Sequence, residues 1–233
     1  MRPTIVVSAL LLGIAAAAIA DAQPLSPLVN SPSEVECPLG RVATVRGSDA
    51  EAREGGGFYA ARRNGIHGAV DLDGSVGEPV FAVGNGKVVV AEGRSDWGKL
   101  GKTVVIDHRD GGYTTYAHLH TVEVRAGSSV TAGDMIGTIG YSGNAAGLEA
   151  RHLPPHLHFA YFRSVAGMDG KSAWLSRIKS SADGFRFVSA KDAIRADLAG
   201  IVNPMRAVNF MKCWEDAPTA TEARSAPLPL TRP

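Results

Sequence analysis

The run Lys102-Thr103-Val104-Val105-Ile106-Asp107-His108-Arg109-Asp110-Gly111-Gly112-Tyr113-Thr114-Thr115-Tyr116 decides the fold class. Two β-prone segments, Val104 to Ile106 and Tyr113 to Tyr116, flank Asp110-Gly111-Gly112, a turn signal that predicts a hairpin. The same pattern extends outward on both sides. Glu78 to Val83 and Gly86 to Ala91 are short apolar runs cut by glycine-rich turns, and everything from Gly74 to Gly147 reads as β. Val76 to Gly86 and Val124 to Gly137 resemble one another loosely. Glycine-punctuated strands of this kind suit a compact sandwich or small barrel. A biotinyl- or lipoyl-carrier domain reads similarly, but no lysine stands at a hairpin tip between the two similar stretches.

Three stretches carry chemistry. In Pro154-Pro155-His156-Leu157-His158-Phe159, an extended backbone turns both imidazoles to one face and Leu157 to the other. In Tyr116-Ala117-His118-Leu119-His120, the same parity places His118 and His120 on one face, shared with Tyr116. In His67-Gly68-Ala69-Val70-Asp71, a straight strand would separate His67 from Asp71 by about 13 Å, too far for a shared metal. Glycines at 65, 68, 74 and 77 argue against a helix there, so the chain must bend, and Gly68 permits it. His108, at a polar hairpin tip, and His152, in the loop from Asn144 to Pro154, are expected on the surface.

The 233 residues suit one decorated domain or two small ones. Lys and Arg number 24 against 23 Asp and Glu, a balance that gives no footing for a nucleic-acid or membrane-surface partner. Residues 1–22 read as a signal peptide: Arg2, an uncharged apolar run from Ile5 to Ile19, then Ala20-Asp21-Ala22. The apolar run is short for a bilayer span, so no membrane insertion is expected to outlast cleavage. Export would place Cys37 and Cys213 in an oxidising compartment, where they are expected to pair. A free Cys37, or one paired between chains, is the alternative. Residues 23–50 read as a leader, flexible from Gln23 to about Ser33, and residues 214–233 as a disordered tail. Helix signals stand at Ser172 to Lys179 and Ser189 to Gly200, inside an otherwise β pattern.

A hydrolytic zinc site takes three His or carboxylate ligands and leaves a position open. His67, Asp71, His118, His156 and His158 exceed that need, and spacing alone leaves open which of them bind. With these residues, Gly77-Glu78-Pro79-Val80-Phe81-Ala82, the run ending at Gly137 and the Val202-Asn203-Pro204 close, the sequence resembles the lysostaphin- and LytM-type zinc endopeptidases of bacterial cell walls. The resemblance covers about Gly65 to Phe162. It implies a mostly β fold, an antiparallel sheet whose groove holds the metal, in a domain over residues 51–213. It also implies Zn2+ on His67, Asp71 and His158, with His118 and His156 as the catalytic histidines.

The implied function is hydrolysis of peptidoglycan peptides by zinc-activated water, in the periplasm or outside the cell. A surplus of arginine over lysine hints at D-Ala–diaminopimelate crosslinks, with a Gly-Gly bridge as the other target. The chain departs from the family pattern by insertions at 145–154 and about 165–200, which bear on substrate preference. Family members that lack these site residues act as amidase activators, so a noncatalytic wall-binding or amidase-activating module is the competing reading. A non-haem iron enzyme shares the two-His, one-carboxylate chemistry and is the remote third.

Overall fold

The computed structural model describes residues 35–47, 55–58, 60–62, 65–93, 98–109, 112–163, 201–204 and 208–215. The signal peptide, the flexible leader, the two helix signals of the 165–200 insertion and the tail beyond Glu215 lie outside the described residues. Trp214, assigned to the tail from sequence, is instead buried in the core because it packs on Phe159 and Phe210. The strands are β1 (Ala61–Arg62), β2 (Gly65–Ile66), β3 (Val70–Asp73), β4 (Pro79–Phe81), β5 (Gly86–Glu92), β6 (Thr103–Asp107) and β7 (Gly112–Ala117). They continue with β8 (Leu119–Val122), β9 (Ser129–Val130), β10 (Met135–Ile139), β11 (His156–Arg163) and β12 (Ile201–Val202). The one α-helix among the described residues, α1 (Ala146–Glu149), falls in the 145–154 insertion.

The hairpin over Lys102 to Tyr116 forms as expected, with Val104 opposite Tyr116 and Asp107 opposite Tyr113. It sits in the middle of the larger sheet, in the order β12-β11-β7-β6-β5-β9, with β3 on the β12 side of β11. A smaller sheet runs β4-β10-β8. All named strand pairings are antiparallel. The two loosely similar stretches meet here, since β4 and β10 are neighbours. One continuous apolar cluster joins Val80, Ile136 and Ile139 of the small sheet to Val104, Ile106, Tyr116 and Phe159 of the large one. The mostly β sandwich is therefore as the sequence predicts.

Residues 35–47 pack onto this core. Val45 bridges Leu72 antiparallel, Ala43 bridges Trp214, and Cys37 is disulfide-bonded to Cys213 across 176 residues. The chain-entropy account credits closing a loop of that length with roughly 5 kcal/mol. Its consequence for the site is direct. β3 lies between β11 on one side and residues 43–46 on the other, with Arg46 N–H donating to Asp71 O at 2.8 Å.

Candidate metal centre

β11 brings the first two imidazoles. Leu157 and Phe159 are fully buried in the core, so His156 and His158 project from the opposite face. Register then selects their neighbours: His158 faces Asp71 and His156 faces Asp73 across the β3–β11 pair. His67 arrives by the predicted bend, with Gly68 at φ 71°. The loop is held by His67 N–H to Ala60 O and Gly68 N–H to Phe58 O, both at 2.9 Å.

Three ligand-type atoms meet as a result. His67 Nε2 lies 3.2 Å from Asp71 Oδ1 and 3.1 Å from His158 Nδ1, and His158 Nδ1 lies 3.0 Å from Asp71 Oδ1. Zinc bonds near 2.0–2.1 Å in tetrahedral array separate ligand atoms by about 3.3 Å. The triangle matches. His67 Nδ1 lies 3.2 Å from Gly56 O and 3.1 Å from Gly57 O, and a carbonyl can only accept, so that nitrogen carries the proton. Nε2 is left with its lone pair turned to Asp71, the arrangement that orients metal-ligating imidazoles. Lone pairs converging at 3.0–3.2 Å repel unless a cation or shared proton lies between them. The donor set fits a divalent zinc ion.

The charge balance agrees. Burial by itself would raise the Asp71 carboxyl, but His67, His156 and the His158 bond outweigh it and hold the group well below the usual carboxylate range. Asp71 is therefore an anion at neutral pH, and a buried anion needs a cationic partner.

His118 joins the group through an irregularity that parity does not foresee. Tyr116 is fully buried, packed on Phe159, with its hydroxyl accepting from Val83 N–H at 3.0 Å. Continued alternation would send His118 to that core side. Instead His118 adopts φ 62° between β7 and β8, and its ring stands 4.9 Å from that of His156 and 5.6 Å from that of His158. A left-handed residue other than glycine costs about 1–2 kcal/mol. Bonds from His118 N–H to Leu100 O and from Gly140 N–H to His118 O, each 3.0 Å, hold it there. Strained backbone maintained in this way concentrates at functional sites.

The same kink corrects two expectations. His120 is exposed and does not share the His118 face, and Tyr116 belongs to the core. His108 is also not on the surface. It is buried, with Nδ1 2.9 Å from Asn85 O and Nε2 2.8 Å from Thr114 Oγ1, and serves as a pin between loop and sheet. His152 is exposed as expected.

Burial and the neighbouring His156 and His158 push the His118 imidazole down to about 3. Burial first, then His158, Arg46 and His67, push His156 down to about 4, although Asp71 opposes the shift. Both rings are neutral in the folded, metal-free protein at pH values where an unfolded histidine, at 6.5, is charged. The sign follows. Below about 6.5 the unfolded chain binds more protons than the folded one, so stability falls as pH drops toward 4, by roughly 1 kcal/mol per pH unit for each ring. Urea unfolding of zinc-free protein at pH 7 and pH 5 measures this, and His118→Asn should flatten the fall. A stability unchanged over that interval contradicts it.

Sequence reasoning missed the groups that orient the rings. The Gly56 and Gly57 carbonyls, in a glycine run to which the sequence assigns no chemical role, fix His67. The Ser142 carbonyl accepts from His118 Nδ1 at 3.0 Å. Arg46, in the leader by sequence, reaches His156 Nδ1 at 2.8 Å. No pattern marks a backbone carbonyl or a lone arginine. The glycines do leave one signal, tight contact: a Cβ on Gly56 would stand 2.7 Å from Asp71 Cβ and 3.0 Å from Arg46 Cβ. Gly56→Ala should therefore cost about 1–3 kcal/mol of stability, as overpacked sites do, and loosen the metal as Asp71 is displaced. Urea unfolding with parallel zinc titration reads both. A variant with native stability and zinc affinity would contradict this packing.

A family model described as peptidase family M23 matches residues 65–171. Lipoprotein NlpD of Yersinia enterocolitica is 38% identical over 76 residues, 33% of this chain and 76% of that protein. Peptidoglycan DD-endopeptidase ShyB of Vibrio cholerae serotype O1 is 32% identical over 130 residues, 53% of this chain and 28% of that protein. Lysostaphin of Staphylococcus staphylolyticus is 38% identical over 96 residues, 41% of this chain and 18% of that protein. The chain thus spans less than a third of the length of ShyB or of lysostaphin. Among solved structures, the catalytic domain of lysostaphin from Staphylococcus simulans aligns with a TM-score of 0.39 at 33% identity, over 46% of this chain and 75% of that one.

Proposed function

The chain belongs to peptidase family M23, and from that membership we propose that it is an exported zinc endopeptidase that hydrolyses peptide bonds in peptidoglycan. One observation carries the reading. A carboxylate and four imidazoles converge at a buried point, three with ligand atoms at metal-binding separations and two left over. A purely structural metal site would need no surplus rings.

His67, Asp71 and His158 would hold the zinc through Nε2, Oδ1 and Nδ1. When bound, zinc supplies Lewis-acid activation of water and of the scissile carbonyl. The chain's own side chains do the rest. His118 and His156, neutral and close to the ligand triangle, handle the proton leaving the water and the charge growing on the carbonyl oxygen. The buried surroundings limit water and so strengthen each of these polar interactions.

The competing reading is a noncatalytic module acting on amidases, the role that the resemblance implies for members lacking these site residues. Intact residues at all five positions speak against it. Zinc content measured alongside mass spectrometry of muropeptides released from isolated peptidoglycan separates the two, and the released fragments name the bond. Zinc-loaded protein that releases nothing would overturn the enzymatic reading.

A further inference from the structure

We infer that Arg46 is a positioning residue that sets the proton on His156, making that ring a hydrogen-bond donor to the substrate carbonyl and leaving His118 as the proton acceptor. The inference rests on the peptidase reading above and divides the work of its two spare histidines.

The argument is one of hydrogen-bond arithmetic. An arginine side chain is always charged and only donates. Its Nη1 lies 2.8 Å from His156 Nδ1, so Nδ1 must be the accepting nitrogen. A neutral imidazole carries one proton, which then sits on Nε2. That nitrogen is 3.5 Å from Asp71 Oδ1 and points into the ligand cluster. His118 has the opposite assignment. Its Nδ1 faces the Ser142 carbonyl at 3.0 Å, so Nδ1 holds the proton and Nε2 keeps a lone pair. With ring centroids 4.9 Å apart, the two imidazoles form one donor and one acceptor beside the same point. Attack of water on a peptide carbonyl needs that pair: a lone pair to receive the water proton and an N–H for the developing oxyanion.

Arg46 is built into this position. Its backbone N–H donates to Asp71 O, and its carbonyl accepts from Gly56 N–H, each at 2.8 Å. Nη2 donates to Pro154 O, immediately ahead of β11, and Nε stands 3.4 Å from Asp73 Oδ1. The guanidinium therefore clamps both the ring and the chain that delivers it. The Arg46 guanidinium bonds His156, which stands outside the ligand triangle, so its effect should fall on turnover more than on metal retention.

Ring 15N spectra of the zinc-loaded mature protein test the assignment first. They should show His156 with a protonated Nε2 and a bare Nδ1, and a protonated Nδ1 would overturn it. Arg46→Met removes every donor at similar length. It should blur or invert that signature and lower kcat on the order of 10- to 100-fold with KM nearly constant, the scale of a misoriented catalytic group. Zinc content should stay at one per chain. Arg46→Gln, whose amide N–H can still donate to Nδ1, should restore part of kcat and the wild-type spectrum. Unchanged kcat in Arg46→Met, or a loss that Arg46→Gln does not relieve, would overturn the positioning role. Should Arg46→Met not fold, the wild-type spectrum and the Arg46→Gln kinetics still decide. A wild-type enzyme that cleaves nothing would overturn the peptidase reading, while the spectrum judges Arg46 separately.

Discussion

Asp71→Ala is expected to lose bound zinc and peptidoglycan cleavage together. Asp71 Oδ1 stands at the hub of the site, 3.0 Å from His158 Nδ1, 3.2 Å from His67 Nε2 and 3.5 Å from His156 Nε2. It also supplies the negative charge opposing a divalent ion in a buried setting. Alanine leaves uncharged imidazoles around a cavity, with no anion to offset the cost of stripping the ion of water. Affinity should fall by more than the roughly 10- to 100-fold that follows loss of a group merely orienting a ligand. Zinc analysis after equilibration with a metal buffer, run beside muropeptide release, gives both readouts. Asp71→Asn, which keeps shape and removes charge, should behave similarly. Full zinc occupancy in Asp71→Ala would sink the ligand assignment.

His118→Ala and His156→Ala should behave differently. Each ring lies beside the triangle without being needed to close it, so zinc should be retained while turnover falls about 10²–10⁴-fold, as when an acid–base group is removed. His118→Ala has a second consequence. The left-handed position at φ 62° remains, and alanine tolerates it no better, so the substitution relieves no backbone strain. Bound zinc and cleavage measured on the same preparations decide the matter. A variant at either position that releases zinc as readily as His67→Ala would show that ligand and catalytic roles are divided wrongly.

Much of the site was legible because it is written in local geometry. His156 and His158 flank Leu157, and alternation alone puts the two rings on one face. The distance between His67 and Asp71 on a straight strand forces a bend, and Gly68 is where the chain makes it, with φ 71°. The hairpin at Lys102 to Tyr116 needed only its turn and its flanking β-branched residues. Parity failed at His118, because one left-handed residue reverses the side to which the following positions point. His108 was misplaced because polarity in the sequence around a hairpin tip carries no information about what packs over it. Arg46 and the Gly56 and Gly57 carbonyls were invisible because their partners lie elsewhere in the chain.

The sequence by itself determined the β architecture, the five residues able to do the chemistry and the cysteines able to pair. Those follow from period, turn chemistry and side-chain type, which are properties of neighbouring residues. Only the tertiary structure decided which atoms meet. Register between β3 and β11 sets His158 against Asp71, and the disulfide-anchored segment at 35–47 lays Arg46 against His156. Arg46, 110 residues from His156 in sequence, leaves that ring its proton on Nε2, while the Ser142 carbonyl holds the proton of His118 on Nδ1. Long-range pairing is a property of the packed core, in which the free energy of burial selects one register from many, and no local pattern encodes that choice.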